Sequence, residues 1–343
     1  MKSNNFDSID LLKYILSFMV VLIHTAPFAE CGGGIRCVFD LVVNISVPTF
    51  FVISAFLFYR NDKFDVKRLK RFVKRNILLY LSWLAVLLIP VVYFRGYFSE
   101  GFANGIFQMI KNFLFGSTFV ASWYIMALII CVVLHFSLRT VLSNKSLLVI
   151  GLATWCICAF ARFKEINVSY DFMAPIRISV VWPTAIYNSF PAGFLWVCIG
   201  EELTHLNYSA RNRIVIQKFM ATGTILYIAF WIASYLKDNS LLLLFLMKYL
   251  TTVFPVILVM IFVLGMDISI KNHIYIRNIS TVQYCTHGTI MILLEKCVGK
   301  AGYELRSFPI SMLKVAIVVL ACHLLAFLLI KIRTKIKVID YML

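Results

Sequence analysis

About ten mostly apolar stretches, each long enough to cross a lipid bilayer, follow one another along this chain of 343 residues. A helix needs roughly 20 apolar residues to cross the hydrocarbon layer, and within that layer a helix satisfies all of its own backbone polar groups. We therefore predict an all-α integral membrane protein with about ten transmembrane helices. The predicted spans are residues 9–27, 38–59, 77–94, 119–138, 147–163, 185–204, 216–236, 241–264, 278–298 and 309–330.

The composition supports a membrane protein and argues against a nucleic-acid-binding one. Hydrophobic residues make up 61% of the chain and charged residues only 14%, which is too apolar for a soluble domain. The net charge is +17, but the basic residues lie in short segments between the apolar runs, where we expect them to meet membrane lipid. The segment 102–117 is amphipathic and too short to cross, so we predict a helix that lies on the membrane surface.

The distribution of lysine and arginine predicts the orientation. Loops rich in these residues stay in the cytoplasm. The loop after the second span and the tail after the tenth span are both basic, and with ten spans they lie on the same side as the N-terminus. We expect both termini in the cytoplasm, in a multi-pass protein of the cell membrane, that is, a bacterial inner or plasma membrane. No linker divides the chain, so we predict a single polytopic domain over 1–343 without an extra soluble domain. The basic residues of the loop are Arg60, Lys63, Lys67, Arg68, Lys70, Arg71, Lys74 and Arg75.

The first predicted span contains two ionisable residues. Lys13 and His24 are eleven residues apart, so a helix presents them on one face, about 16 Å apart along its axis. Ionisable groups inside a span are costly and indicate function. The alternative is that Lys13 extends to the cytoplasmic surface while His24 lies at the outer headgroup boundary.

Four segments together resemble the acyltransferase family 3 membrane proteins. The first is KYILSFMVVLIH at 13–24, which has lysine where the family usually has arginine before ten residues and a histidine. The second is VPTFFVISAFLFYR at 47–60, the third SWYIMALI at 122–129, and the fourth ISTVQYCTHGTI at 279–290. Their order and spacing cover nearly the whole chain.

Besides Lys13, the chain departs from the family pattern at three further places. Ala55 replaces a glycine of the second segment, and RFVKRNILLY at 71–80 lacks the prolines that the family carries before its tyrosine. An arginine–asparagine pair of the family is replaced by Tyr187 and Asn188, and Arg177, ten residues before Tyr187, is a candidate substitute for the arginine.

The resemblance implies an acyl-CoA-dependent membrane O-acyltransferase. Such an enzyme transfers an acyl group, usually acetyl, from cytoplasmic acyl-CoA to a hydroxyl of an exported or cell-surface carbohydrate, with partners in envelope biosynthesis. Acetyl-CoA is then a donor substrate, and we expect no bound cofactor and no metal ion. The alternative is a transporter of small, amino-acid-like molecules, because membrane portions similar to this family are also found fused to racemases.

The resemblance also implies site residues. Lys13, Arg71, Lys74 and Arg75 are candidates for binding the phosphates of acyl-CoA, although loop topology alone also explains the loop charges. His24 is the candidate catalytic residue, either as general base or as the acylated group. Candidates for lining the cavity or contacting the acceptor are Ser280, Tyr284, His287, Trp123, Asn188 and Glu295.

Several of these positions have a purely structural alternative. Ser280, Tyr284 and His287 share one face of the ninth span, where polar residues also hold helices together. We expect His287 to lie only two to three turns inside the cytoplasmic end, and therefore to be less suited than His24 to chemistry near the outer face. His135 is expected to be solvated. Cys31 and Cys37 are predicted on an outer loop, either as free thiols or as a disulfide.

Overall fold

A computed structural model of the protein describes residues 7–60, 65–114, 118–167, 186–206, 210–300 and 308–343. Across these ranges every regular element is a helix, which confirms the all-α prediction. The α-helices are α1 Asp7–Thr25, α2 Gly33–Val43, α3 Ser46–Tyr59, α4 Val66–Arg95, α5 Phe102–Leu114, α6 Trp123–Leu138, α7 Asn144–Asn167, α8 Phe190–His205, α9 Ala210–Leu236, α10 Leu242–Thr251, α11 Val253–Leu264, α12 His273–Lys300 and α13 Phe308–Ile332. Short 3-10 helices lie at Ile186–Asn188 and Lys337–Tyr341.

Within the described residues, seven helical segments are long and apolar enough to cross a membrane. Two of them, Gly33–Tyr59 and Leu242–Leu264, are each built from two consecutive helices. The predicted spans at 119–138, 185–204 and 278–298 fall on α6, α8 and α12, which are helices but are not among the seven. Helices α6 and α8 have only 16 residues each, whereas α12 has 28 residues and interrupts its apolar run with polar side chains.

The described residues fall into two compact units. Unit 1 comprises Met1–Ser46, Lys70–Ile125 and Asp267–Leu343, and unit 2 comprises Val47–Leu69 and Met126–Met266.

In unit 1, helix α1 packs chiefly against α12, and both pack against α13. Acidic residues in the first turn of α1 complement the helix dipole. The Asp7 carboxylate accepts a hydrogen bond of 2.7 Å from the backbone N–H of Ile270, and it lies 3.3 Å from the ring of His273. Farther along, the hydroxyl of Ser280 donates to the carbonyl of Lys13 at 3.0 Å. Because these contacts advance together along both helices, α1 and α12 run parallel.

Two further features of unit 1 bear on the sequence predictions. The predicted amphipathic helix is present as α5, whose 13 residues are too few to cross a bilayer and whose apolar side chains, Phe102 and Phe107 among them, are exposed. Cys31 and Cys37, the two candidates for a disulfide, are not joined to each other in the structure.

In unit 2, glycines allow the backbones of its helices to approach closely. Helices α7 and α8 meet where Gly151 faces the backbone of Leu195. Helices α3 and α8 meet at Gly200, where an added Cβ would lie 2.6 Å from both the carbonyl oxygen of Val52 and the Cβ of Ala55. Small residues at helix contacts are the usual means of close packing in a membrane, where apolar surface alone gives no preference for a partner helix.

We predict that Gly200→Ala destabilises the protein, because the added methyl group overlaps a backbone carbonyl that has no rotamer by which to move away. Overpacking of this kind costs about 1–3 kcal/mol, which lowers the unfolding temperature in detergent. Gly34→Ala is the matched control, since no atom lies within 4 Å of its added Cβ. A Gly200→Ala protein as heat-resistant as the Gly34→Ala protein would contradict this packing.

Candidate functional site

Two histidine rings lie side by side in unit 1. His24, in the last turn of α1, and His287, in the middle of α12, have ring centroids 5.1 Å apart and ring planes tilted by 39°. His24 is half-buried, and His287 is almost fully buried, with 1% of its surface exposed. The structure therefore joins the predicted catalytic residue to a second imidazole.

The position of His287 corrects the expectation that it lies nearer the cytoplasmic end than His24 does. That expectation placed the start of the span at residue 278, but α12 begins at His273, a turn and a half earlier. His287 is consequently 14 residues into its helix, or about 21 Å at 1.5 Å per residue. Because α1 and α12 run parallel, this depth brings it level with His24.

A backbone hydrogen bond defines the tautomer of His287. Its Nδ1 lies 2.9 Å from the carbonyl oxygen of Gln283, one turn earlier in α12. A carbonyl oxygen can only accept, so Nδ1 carries the hydrogen and, in the neutral ring, Nε2 carries the lone pair. This Nε2 is buried and has no hydrogen-bond partner among the described residues. His287 thus presents an unused proton acceptor beside His24.

Gln283 adds two more unsatisfied polar atoms. Its side chain is fully buried, and neither its amide oxygen nor its amide nitrogen has a hydrogen-bond partner among the described residues. Gln283 and His287 are four residues apart and lie on the same face of α12. Each buried polar group left unpaired costs about 1–3 kcal/mol, so a polar ligand or water between the helices would be stabilised there.

The hydroxyl groups of the predicted lining residues hold helices together. Ser280 donates to α1, as described above, and the Tyr284 hydroxyl donates to the backbone carbonyl of Ala121. The rings of Tyr124 and Tyr284 meet edge to face, with centroids 5.5 Å apart, at the start of α6, where Trp123 is half-buried. The contacts are those expected for polar residues between packed helices, and any role of Ser280, Tyr284 and Trp123 toward a ligand stays a prediction.

A charged cluster surrounds the N-terminal ends of α1 and α12. Asp10 is buried and interacts electrostatically with Lys13, Arg277 and His273. Arg277 also lies close enough to Arg75 of α4 for the two like charges to interact, and its Nε is buried without a hydrogen-bond partner in the described part of the chain. Arg277 was not among the site residues predicted from the sequence. Two guanidinium groups held together repel each other, and an anion bound between them would relieve that repulsion.

The remaining predicted site residues lie in different surroundings. Arg71 and Lys74 are exposed on α4. Glu295 forms an ion pair of 2.8 Å with Lys314 of α13. Asn188 is exposed and belongs to unit 2, and Arg177 lies outside the described residues.

Unit 2 contains a buried polar cluster that the sequence analysis did not predict. His135 was expected to be solvated, but only 1% of it is exposed, because its ring lies between two other buried side chains. Its Nδ1 is 2.8 Å from the hydroxyl of Tyr59, and its Nε2 is 3.1 Å from the carboxylate of Glu201. Arg139 lies 2.5 Å from the other oxygen of the same carboxylate. Helices α3, α6 and α8 are thereby joined by hydrogen bonds and charge.

Similarity to known proteins covers nearly the whole chain. A family model described as an acyltransferase domain matches residues 6–331. Two similar relatives are amino-acid racemases from Enterococcus faecalis. One is 32% identical over 133 residues, which is 38% of this chain and 18% of the relative, and the other is 30% identical over 138 residues, or 37% and 19%. The match thus spans about a fifth of the length of these relatives. No solved structure matches the chain.

We predict that Glu201→Ala strongly destabilises the protein, because it leaves the buried His135 without its carboxylate and Arg139 without its counter-charge. Breaking a buried pair in this way costs about 3–5 kcal/mol. Arg36→Ala is the control, since the Arg36–Asp40 pair is exposed and 3.9 Å long, and such pairs contribute about 1 kcal/mol or less. Thermal unfolding in detergent compares the two. Equal stability of both variants would show that the cluster does not hold the helices together.

Proposed function

The chain belongs to the acyltransferase 3 family, and from this premise we propose that it transfers an acyl group from cytoplasmic acyl-CoA to a hydroxyl group. The acyl group is acetyl in the first instance. The hydroxyl group belongs to a carbohydrate or similar acceptor that is exported or lies on the cell surface. The observation that carries the proposal is the pair of histidines: His24 lies at the far end of α1, whose near end carries Lys13, and His287 of α12 lies beside it. Imidazole is the side chain best suited to proton transfer near neutral pH.

The charged cluster supports binding of the donor. Coenzyme A carries several phosphate charges, and Lys13, Arg75 and Arg277 offer cations near one end of α1 and α12. Arginine binds phosphate with two parallel hydrogen bonds, and lysine acts as a point charge. Arg71 and Lys74, exposed on α4, would attract the same charges from solution. The pantetheine arm would then run along α1 for about 16 Å, to place the thioester at His24.

The chemistry needs one proton acceptor and one acyl donor. The oxygen of the acceptor hydroxyl attacks the thioester carbonyl, a new C–O bond forms, and the C–S bond breaks to release coenzyme A. His24 takes part either as the general base that removes the hydroxyl proton or as a nucleophile that carries the acyl group between the two substrates. No cofactor is needed for either route.

The proposed topology has ten spans with both termini in the cytoplasm. The basic segment at 60–75 supports it, because many lysine and arginine residues in a short loop resist translocation. In this orientation the charged cluster lies at the cytoplasmic side, where acyl-CoA is found, and the histidine pair lies toward the opposite side. An acceptor carbohydrate and partners from envelope biosynthesis would approach from there.

The transporter alternative has no observation in its favour. The names of the two relatives describe racemisation of amino acids and make no mention of transport, and the match covers less than two fifths of this chain. A transport substrate would also not explain why a cluster of cations and a pair of imidazoles lie at opposite ends of one helix pair.

We predict that Lys13→Ala and Arg277→Ala each weaken coenzyme A binding, measured by calorimetry on the purified protein in detergent. Lys13→Arg should preserve or strengthen binding, because arginine keeps the charge and adds a second donor. Added salt should weaken binding to the parental protein, since part of the attraction is screened. Lys331→Ala, at the end of α13, serves as a control for a general loss of positive charge. Unchanged affinity in both Lys13→Ala and Arg277→Ala would remove the donor site from this cluster.

We predict that His24→Ala retains coenzyme A binding but loses acyl transfer by about 10²- to 10⁴-fold, the usual contribution of a general base. His24→Gln should be no better, because an amide does not accept the proton. The measurement is release of coenzyme A from acetyl-CoA by purified protein. Near-parental turnover in His24→Ala, or no turnover of acetyl-CoA by the parental protein, would reject the enzymatic proposal.

A further inference from the structure

We propose that His287 is a second catalytic residue, and that its Nε2 is the atom that removes the proton from the acceptor hydroxyl. The inference rests on the proposed acyl transfer and makes it more specific, since it divides the chemistry between two rings. His287 then takes the role of base, and His24 acts on the thioester, where the N–H of its neutral ring donates a hydrogen bond to the carbonyl oxygen that gains negative charge.

The tautomer and orientation of the His287 ring are those of a general base. The hydrogen bond from Nδ1–H to the carbonyl of Gln283 holds the proton on Nδ1 and orients the ring, in the same way that a carboxylate or carbonyl orients the base of a hydrolase. Nε2 therefore has its lone pair available at every moment the ring is neutral. A general base needs this arrangement, and His287 has it in the resting protein.

His287 is poorly explained as a structural residue. A histidine kept for packing normally has both nitrogens paired, as His323 of α13 does: its Nδ1 bonds the carbonyl of Val319, and its Nε2 lies 3.0 Å from the hydroxyl of Tyr14. Nε2 of His287 is buried with no such partner in the described ranges. A buried acceptor without a donor costs free energy that an apolar side chain of similar size would avoid.

The neighbouring phenol of Tyr284 is already occupied. The Tyr284 ring lies 6.3 Å from the His287 ring, but the Tyr284 hydroxyl donates to the carbonyl of Ala121. The donor that Nε2 lacks must therefore come from elsewhere. An acceptor hydroxyl at this position would both satisfy Nε2 and lie beside His24, where a thioester carried along α1 would end.

The proton is accounted for in a single cycle. As the hydroxyl oxygen forms its bond to the acyl carbon, its proton moves to Nε2 of His287. As the C–S bond breaks, the sulfur leaves as a thiolate, and the proton on Nε2 passes to it to give the free thiol of coenzyme A. His24 stays neutral during the step, because two adjacent imidazolium rings would repel each other. Acyl-CoA and the hydroxyl compound become ester and coenzyme A, with nothing else consumed.

The test compares nucleophiles that need a base with one that does not. Purified protein in detergent receives acetyl-CoA with water, with methyl glucoside, or with hydroxylamine, which attacks thioesters as a neutral amine. We expect His287→Ala and His287→Gln to lose coenzyme A release with water and methyl glucoside by at least about 100-fold, while release with hydroxylamine changes by only a few fold. His24→Ala should lose all three reactions. His323→Ala is the matched control and should keep the parental ratio between nucleophiles.

The results that contradict the role of His287 can be told apart from those that contradict acyl transfer itself. If His287→Gln folds and reacts with methyl glucoside at the parental rate, or if it loses all three reactions equally, His287 is not the base. If the parental protein reacts only with hydroxylamine, no base is placed to activate a hydroxyl, and the inference also fails. If the parental protein releases no coenzyme A with any nucleophile, the proposed acyl transfer itself is wrong.

Discussion

The parallel pairing of α1 with α12 is the contact on which the candidate site depends. Inside a bilayer no water is available to satisfy polar groups, so polar faces of helices must meet each other. Here Asp7 and His24 on α1 meet His273 and His287 on α12, and the hydrogen bond from Ser280 to the backbone carbonyl of Lys13 fixes the register between the two helices. A shift of one turn along either helix would separate His24 from His287.

Because of this pairing, the two ends of the helix pair carry different chemical groups. Cations gather where α1 and α12 begin, and imidazoles meet where α1 ends. A donor substrate with several phosphates at one end and a thioester at the other matches this arrangement, with its phosphates at the cations and its thioester at the imidazoles. Among the described residues, Nε2 of His287 and the amide of Gln283 are buried without hydrogen-bond partners, and both lie toward the imidazole end, where the reacting groups would meet.

The sequence predicted the helices well because hydropathy and a 3.6-residue repeat act within a single segment. It also placed Lys13 and His24 on one face, since that follows from their spacing alone. It did not predict that His287 lies beside His24, because the depth of a residue depends on where its helix begins, and polar residues at 273–277 extend α12 before the apolar run. Which helices become neighbours is a property of packing that no single segment contains.

The missed residues did leave signals in the sequence. Gln283 and Glu201 each lie within a predicted span, where a polar side chain is costly unless it is paired or functional. Glu201 proved to be paired, with His135 and Arg139, and it holds three helices of unit 2 together. Gln283 proved to be unpaired among the described residues. The sequence offered no means of separating these outcomes, because each depends on the side chains that neighbouring helices bring.

The most direct test of the account is to locate the acyl group of a bound donor. A coenzyme A thioester with a diazirine in its acyl chain, photolysed on the purified protein and mapped by mass spectrometry, would mark the residues next to the reacting carbon. The account predicts labels within one turn of His24 on α1 or of His287 on α12, lost when excess coenzyme A competes. Labels absent from both of these turns, or labels that free coenzyme A does not displace, would contradict it.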